Sequence, residues 1–263
     1  MPVIVEWSRN AGIFDHPSEA APRLHSLDTL VHYYTIFQNN DGSACRSRVA
    51  AGEAHLGRTM KIILVRHGRP DENDSANPGD PPLNDDGRRQ ADAIAELLSL
   101  ETIDRIVASP LRRARQTAEP LAQRLGRPID VVDEWAEADR FGARYRSTET
   151  LRSLGQDEWK RFLTDPIRYL GGDPDRFQAE VMGALKTIAA EGDARQKVAI
   201  FTHGMPINVV LSQALALNGF VHFLPGYGSV TRLRLRSDGS IGIISINESG
   251  HHALATSIAS TGP

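Results

Sequence analysis

Arg66 and His67 follow one apolar run of the sequence, Ser109 and Arg113 follow a second, and His203 follows a third. A neutral imidazole can attack phosphorus and form a covalent phosphoenzyme, which splits one difficult displacement into two easier ones. Arginine presents a planar fork of N–H donors that matches the oxygens of a phosphoryl group. These residue types therefore indicate phosphate chemistry through a phosphohistidine, provided that the fold brings the three run ends together.

His67 is the candidate nucleophile. Taken alone, a histidine after a strand is more often a packed or surface residue than a catalyst. Two neighbours favour the catalytic interpretation, because Arg66 is suited to a phosphate and Gly68, which has no Cβ, allows the backbone to approach a ligand closely. We therefore expect an anion to bind at this turn.

Arg113 is the candidate phosphate-binding residue of the second run. Ser109 as N-cap and Pro110 as first helical residue predict a helix start. Arg113 then lies in the first turn, where the helix dipole favours an anion. Its neighbours Arg112 and Arg115 are interpreted as part of a solvated basic face.

His203 supplies a second imidazole after the run 198–202. One interpretation is a histidine bonded to the backbone at a strand end. In the functional interpretation, its ring donates to a phosphate oxygen. The helix that begins there would offer the amides of Gly204 and Met205 to the same anion. We expect these two residues to bind substrate.

A metal site is an alternative use of the same side chains, because histidines and carboxylates form zinc sites. The neighbouring arginines would repel a divalent cation. The sequence has neither His-x-x-x-His nor a paired carboxylate spacing at these positions. We therefore expect neither a metal nor an organic cofactor.

The elements that must position these residues alternate along the chain. Strands are predicted over residues 61–65, 104–108, 129–132 and 197–202. Helices are predicted over residues 86–100, from 110 onward, in parts of 147–193 and over 205–217, and a β-hairpin follows over 228–247. This order predicts a layered α/β domain with a mostly parallel central sheet. The carboxyl ends of parallel strands share one edge, so the three run ends should converge there. Pro120 is expected to kink or split its helix.

Three regions differ in pattern. Residues 60–250 carry the periodic segments and form the predicted functional domain, residues 1–59 are interpreted as an accessory N-terminal extension, and residues 251–263 as a C-terminal tail. An open alternative is that Met60 is the natural first residue.

Composition limits the classes of partner. The chain has 30 basic and 33 acidic residues and a net charge of −3, which argues against broad binding of nucleic acid or of an anionic membrane. The single cysteine, Cys45, excludes an intrachain disulfide, and no apolar run approaches membrane-spanning length. We expect a cytoplasmic protein and leave a homodimer open.

Four motifs resemble those of one known family, and they are the segments 64–68, 82–91, 109–117 and 201–204. In this order they resemble the histidine phosphatase superfamily, the phosphoglycerate mutase-like group (branch 1). The resemblance implies a three-layer α/β/α sandwich and a phosphorylated His67. It also implies that Arg66, Arg113 and His203 complete the phosphate pocket.

The same resemblance assigns two further roles. Asn73, six residues beyond His67, is expected to help hold the phosphoryl group. Glu137 is expected to protonate the leaving alkoxide, for which a carboxyl pKa near neutrality is best suited. Glu134 and Asp139 stay open as alternative proton donors.

The sequence thus predicts a metal-independent phosphatase that hydrolyses a small phosphorylated metabolite. A phosphoglycerate mutase-type phosphotransferase is the first alternative, although no paired-basic motif for a second phosphate is evident between Glu137 and His203. A phospho-ligand-binding module without turnover is the second. The substrate is open, and candidates for the pocket wall are Arg69, Arg140, Arg144 and Tyr145.

Overall fold

The computed structural model describes residues 59–141, 145–193 and 195–252. The predictions made for residues 1–58, for the tail beyond residue 252 and for Arg144 lie outside these ranges. In the described ranges, no helix is long and apolar enough to cross a membrane.

Within the described residues, six strands form the central sheet: β1 (Thr59–Arg66), β2 (Arg105–Ala108), β3 (Ile129–Val131), β4 (Lys197–Thr202), β5 (Val230–Arg236) and β6 (Ile241–Glu248). Their spatial order is β3-β2-β4-β1-β5-β6. The first four strands pair in parallel, whereas β5 and β6 extend one edge as an antiparallel hairpin. The predicted mostly parallel sheet is confirmed.

Helices cover both faces of this sheet: α1 (Asp85–Ser99), α2 (Arg112–Leu125), α3 (Thr148–Ser153), α4 (Gln156–Thr164), α5 (Pro166–Tyr169), α6 (Pro174–Glu191) and α7 (Gly204–Leu215). Successive side chains of β1 point to opposite faces. Ile63 and Val65 therefore pack in the core that includes residues of α1 and α2, and Ile62 and Leu64 in the core that includes residues of α6 and α7. The result is the predicted three-layer α/β/α sandwich.

The register of the strands places the carboxyl ends of the three apolar runs next to one another at one edge of the sheet. In the parallel β1–β4 pair, Arg66 is opposite Thr202, so His67 and His203 both leave the sheet one residue later. The His67 amide donates to the Thr202 carbonyl over 2.9 Å. On the other side of β4, the Ser109 amide donates to the Phe201 carbonyl over 2.9 Å. The expected convergence at the carboxyl edge of the sheet is therefore present.

Helix α2 departs from the sequence prediction at two points. It begins at Arg112, with Leu111 as N-cap and no side-chain cap bond, rather than at Pro110. Ser109 instead accepts the Leu111 amide on its hydroxyl over 3.2 Å, which forms a turn ahead of the helix. The helix is not split at Pro120, because it continues to Leu125, and a kink there stays a prediction. Burial of its apolar face offsets the lost backbone hydrogen bond.

Candidate active site

His67 lies at the end of β1 and is buried. Its Nδ1 atom lies 2.7 Å from the carbonyl oxygen of Gly68. A carbonyl only accepts, so Nδ1 carries the proton and donates it. The lone pair of the neutral ring is then on Nε2, the atom that would act as nucleophile.

The turn that holds His67 is fixed to α2 and α1. The Gly68 amide donates to the Thr117 hydroxyl over 2.9 Å, and that hydroxyl donates to the Arg113 carbonyl over 2.6 Å. A Cβ on Gly68 would lie 2.5 Å from the carbonyl oxygen of Gly87. The close approach of α1 therefore requires a glycine at this position.

Two arginines and two tyrosines surround His67. The Arg66 guanidinium lies 4.1 Å from the centre of the Tyr227 ring, and that of Arg113 lies 4.6 Å from the centre of the Tyr145 ring. The tyrosine hydroxyls are 2.9 Å apart and hydrogen-bond to each other. Their rings lie 5.6 Å (Tyr227) and 6.3 Å (Tyr145) from the His67 ring. Cation–π contact therefore supports both guanidiniums beside the imidazole.

Arg113 is fully buried and paired with one buried carboxylate. Its Nη2 donates to both oxygens of Asp139, over 2.9 and 3.1 Å. A second carboxylate, Asp80, lies 3.8 Å from Nη1. Burial raises the pKa of Asp139, and the adjacent Arg113 charge opposes that rise. The pair keeps the guanidinium charged and oriented inside the protein.

His203 lies next to His67, with 4.9 Å between the ring centres. Its Nε2 is 2.7 Å from the Ser109 hydroxyl, which also accepts the Leu111 amide. The serine hydroxyl therefore has its proton available for His203 Nε2, and the ring proton of the neutral histidine would be on Nδ1. Ser109 thus orients the second imidazole.

Several buried nitrogen atoms around His67 lack a hydrogen-bond partner among the described residues. They are Arg66 Nε, Arg113 Nε, Arg113 Nη1 and His203 Nδ1. Buried polar atoms are normally paired, and an unpaired one costs about 1–3 kcal/mol. An anion with several acceptor oxygens, such as a phosphoryl group, would pair them. The cluster has the composition of a preformed anion site.

Both histidines are held neutral. Burial, followed by the charges of Arg113 and Arg66, keeps the pKa of His67 well below its usual value. Burial and the charge of Arg113 have the same effect on the pKa of His203. At neutral pH, His67 is therefore in the protonation state that a nucleophile needs.

Glu137 lies in the wall of the site, and its carboxyl has a raised pKa. Its Oε1 accepts the Ala138 amide over 2.9 Å, and its two oxygens lie 3.3 and 3.2 Å from the Met205 amide. Burial, and then the negative charge of Asp139, raise its pKa to about 7. Glu134 is exposed, and both oxygens of Asp139 bind Arg113. Of the three candidate acids, Glu137 alone combines a place in the site wall with a carboxyl that forms no salt bridge with a described residue.

Two predicted substrate-binding residues are placed differently. The Met205 amide binds the Glu137 carboxylate, not a free anion position, although Gly204 and Met205 both line the site. Asn73 is exposed in the loop after β1, and its amide donates to Asp71 over 3.1 Å. Asn73 does not line the cavity beside His67.

One cavity of about 240 Å³, the active-site cavity, is lined by Arg66, His67, Glu137, Asp139, Tyr145 and Tyr227. Arg113 and His203 are fully buried and are not among its lining residues. Its described lining beyond the residues above consists mainly of Arg146, Thr148, Glu149, Leu151, Arg152, Phe162, Leu170, Asn208, Phe223, Leu224, Pro225 and Gly226. Of the wall candidates, Tyr145 lines the cavity, whereas Arg140 pairs with Glu180 elsewhere. Sequence reasoning missed Tyr227. Its only signal was an aromatic residue between two glycines just before a predicted strand.

Comparison with known proteins agrees with this fold. The chain superposes on a mycobacterial glucosyl-3-phosphoglycerate phosphatase with a TM-score of 0.59 at 22% identity, covering 72% of this chain and 99% of that one. A phosphoserine phosphatase of Entamoeba histolytica gives a TM-score of 0.57 at 22% identity, covering 73% and 99%. The fold is the phosphoglycerate mutase-like sandwich that these phosphatases share.

The family model of the histidine phosphatase superfamily (branch 1) matches residues 62–248, and the chain belongs to this family. It is 32% identical to the uncharacterized phosphatase PhoE of Bacillus subtilis over 155 residues, 58% of this chain and 76% of that protein. It is 28% identical to the probable phosphoglycerate mutase GpmB of Cronobacter sakazakii over 184 residues, 68% and 81% of the two chains. Family and relatives indicate a phosphatase-type enzyme.

Proposed function

We propose that this protein hydrolyses phosphate monoesters of small metabolites through a phosphohistidine at His67, without a metal ion. The observation that carries the proposal is the state of His67: a buried, neutral imidazole whose Nδ1 is bound to the Gly68 carbonyl, among cationic groups with unpaired N–H donors. The cavity volume of about 240 Å³ suits a small molecule.

In the first step, His67 Nε2 attacks phosphorus and the ester P–O bond breaks. Arg66, Arg113 and His203 stabilise the charge on the phosphoryl oxygens, because their donors are fixed before the reaction. Glu137, with a pKa of about 7, donates its proton to the leaving oxygen. The products of this step are an alcohol, phosphorylated His67 and the Glu137 carboxylate.

In the second step, a water molecule attacks the phosphorus of the phosphohistidine. The Glu137 carboxylate accepts a proton from this water, and the P–N bond breaks. Inorganic phosphate leaves, and His67 and Glu137 return to their starting protonation states. The two steps together consume one ester and one water.

The test is release of phosphate from p-nitrophenyl phosphate by the full chain, with and without EDTA. We expect turnover that EDTA does not reduce and that His67→Ala abolishes. The control is His222→Ala, an exposed histidine outside the cavity wall. Loss of activity with EDTA would contradict metal independence.

The two alternatives give different results. A mutase would need a bisphosphate primer and would move phosphate between positions of a phosphoglycerate with little release. A binding module would hold a stable phosphorylated His67 without turnover. The cytoplasmic location and the homodimer stay predictions from the sequence.

A further inference from the structure

The part of the active-site cavity beyond the phosphate site has an apolar wall. We define this wall by the side chains of Leu151, Phe162, Met205, Phe223 and Leu224, which come from α3, α4, α7 and the loop before β5. Leu151, Phe162 and Met205 are buried, whereas Leu224 is exposed at the rim. A leaving group that extends from a phosphate at His67 toward this wall would meet hydrocarbon.

The arginines at this end of the cavity already have partners. The Arg152 guanidinium lies 4.6 Å from the centre of the Trp159 ring. Arg146 interacts with the Tyr169 hydroxyl and with the Glu158 carboxylate. Both arginines are therefore held by side chains of α4 and α5.

The buried amide in this wall is also fully used. Asn208 Nδ2 donates to the carbonyls of Gly204 and Phe223, each over 2.9 Å. Its Oδ1 accepts the amides of His222 and Phe223, over 3.2 and 3.0 Å. These bonds hold the loop that carries Phe223 against α7, so the apolar wall is formed before substrate binds. Because the side-chain amide of Asn208 makes all its hydrogen bonds to backbone atoms, it has none left for a polar substrate.

We propose that the substrate is the phosphate monoester of an alcohol that carries an aromatic or branched aliphatic group, rather than an acid such as a phosphoglycerate. This inference rests on the proposed phosphatase function. The apolar group packs on the apolar wall while the phosphate binds at His67. Burial of apolar surface then supplies the affinity and the orientation of the leaving group.

The test compares esters with the same reacting centre. Ethyl phosphate and 2-phenylethyl phosphate both release a primary alcohol, so their intrinsic reactivities are similar and the phenyl ring is the main difference. We expect kcat/KM to be at least about tenfold higher for 2-phenylethyl phosphate, the discrimination that an apolar pocket provides. We expect 3-phosphoglycerate to be a poorer substrate than 2-phenylethyl phosphate.

Two leucine variants test the wall itself. Leu224→Asp places a charge at the rim, where the leucine is 52% exposed, and should reduce the ratio of the two kcat/KM values at least about threefold. The control is Leu100→Asp, at a leucine that is 84% exposed after α1 and does not line the cavity, and it should leave the ratio unchanged.

The outcomes separate the two proposals. Equal kcat/KM for both esters, or a preference for 3-phosphoglycerate, would overturn the apolar-substrate inference while phosphatase activity stands. An unchanged ratio in Leu224→Asp would also overturn it. Failure to hydrolyse any ester or to form phosphohistidine would overturn the proposed function and the inference together.

Discussion

Replacing Glu137 by glutamine should remove the proton donor while keeping the shape of the site. Glutamine keeps an oxygen that can accept the Ala138 and Met205 amides, so the loop and α7 stay joined. The amide cannot give a proton to an alkoxide or take one from water. General acid–base catalysis contributes a factor of about 10²–10⁴ to a rate, and we expect kcat for an alkyl phosphate to decrease by a factor in this range.

The pH dependence gives the second part of this prediction. A carboxyl with the ordinary pKa of 4.5 would be about 0.3% protonated at pH 7, whereas Glu137, at about 7, is about half protonated. The protonated share falls about 50-fold between pH 7 and pH 9. The kcat/KM of the native enzyme should therefore decline as pH rises above about 7. His67 stays neutral across this range, because its pKa lies below its usual value.

Stopped-flow assays with two esters would separate the two roles of Glu137. p-Nitrophenolate leaves without a proton, so Glu137→Gln should still form phosphohistidine from p-nitrophenyl phosphate and show a burst followed by slow hydrolysis. The control is Glu134→Gln, an exposed acid three residues away, which should behave as the native enzyme. An alkyl phosphatase activity close to native in Glu137→Gln, with the decline above pH 7 intact, would refute the assignment.

Three further variants test the groups that support the site. Asp139→Asn removes a negative charge that raises the pKa of Glu137, so the alkaline decline of kcat/KM should move to lower pH, and an unmoved profile would contradict this coupling. Ser109→Ala removes the hydroxyl bound to His203, and kcat should fall about 10- to 100-fold with an unchanged circular dichroism spectrum; native kcat would show that the hydroxyl does not orient the ring. Gly68→Ala places a Cβ 2.5 Å from a carbonyl oxygen of α1, and urea unfolding should show a loss of roughly 1–3 kcal/mol. Native stability would mean that this contact relaxes freely.

The fold could be predicted because local patterns and topology agree. Strands of apolar residues alternate with amphipathic helices, and this order determines a parallel sheet whose carboxyl ends share an edge. His67, Ser109 and His203 each follow a strand directly, so the register of three adjacent strands brings them together. The predicted hairpin turn before β6 is also present.

The rest of the site depends on contacts between segments far apart in sequence. The Arg113–Asp139 pair joins α2 to the turn after β3, and the Tyr145–Tyr227 bond joins two loops. No spacing rule predicts such contacts, because each loop is placed by its packing and not by its own period. The exposed position of Asn73, whose amide donates to Asp71, could not be derived from its spacing to His67 for the same reason.

The most direct test of the phosphatase mechanism is to quench the enzyme in alkaline detergent during turnover of ³²P-labelled p-nitrophenyl phosphate and to count the label on the protein. The mechanism predicts an acid-labile, base-stable label on His67 that forms and decays at rates fast enough to account for kcat. The label should be absent in His67→Ala and should accumulate in Glu137→Gln. Turnover without label on His67, or a label that decays more slowly than the enzyme turns over, would contradict the mechanism.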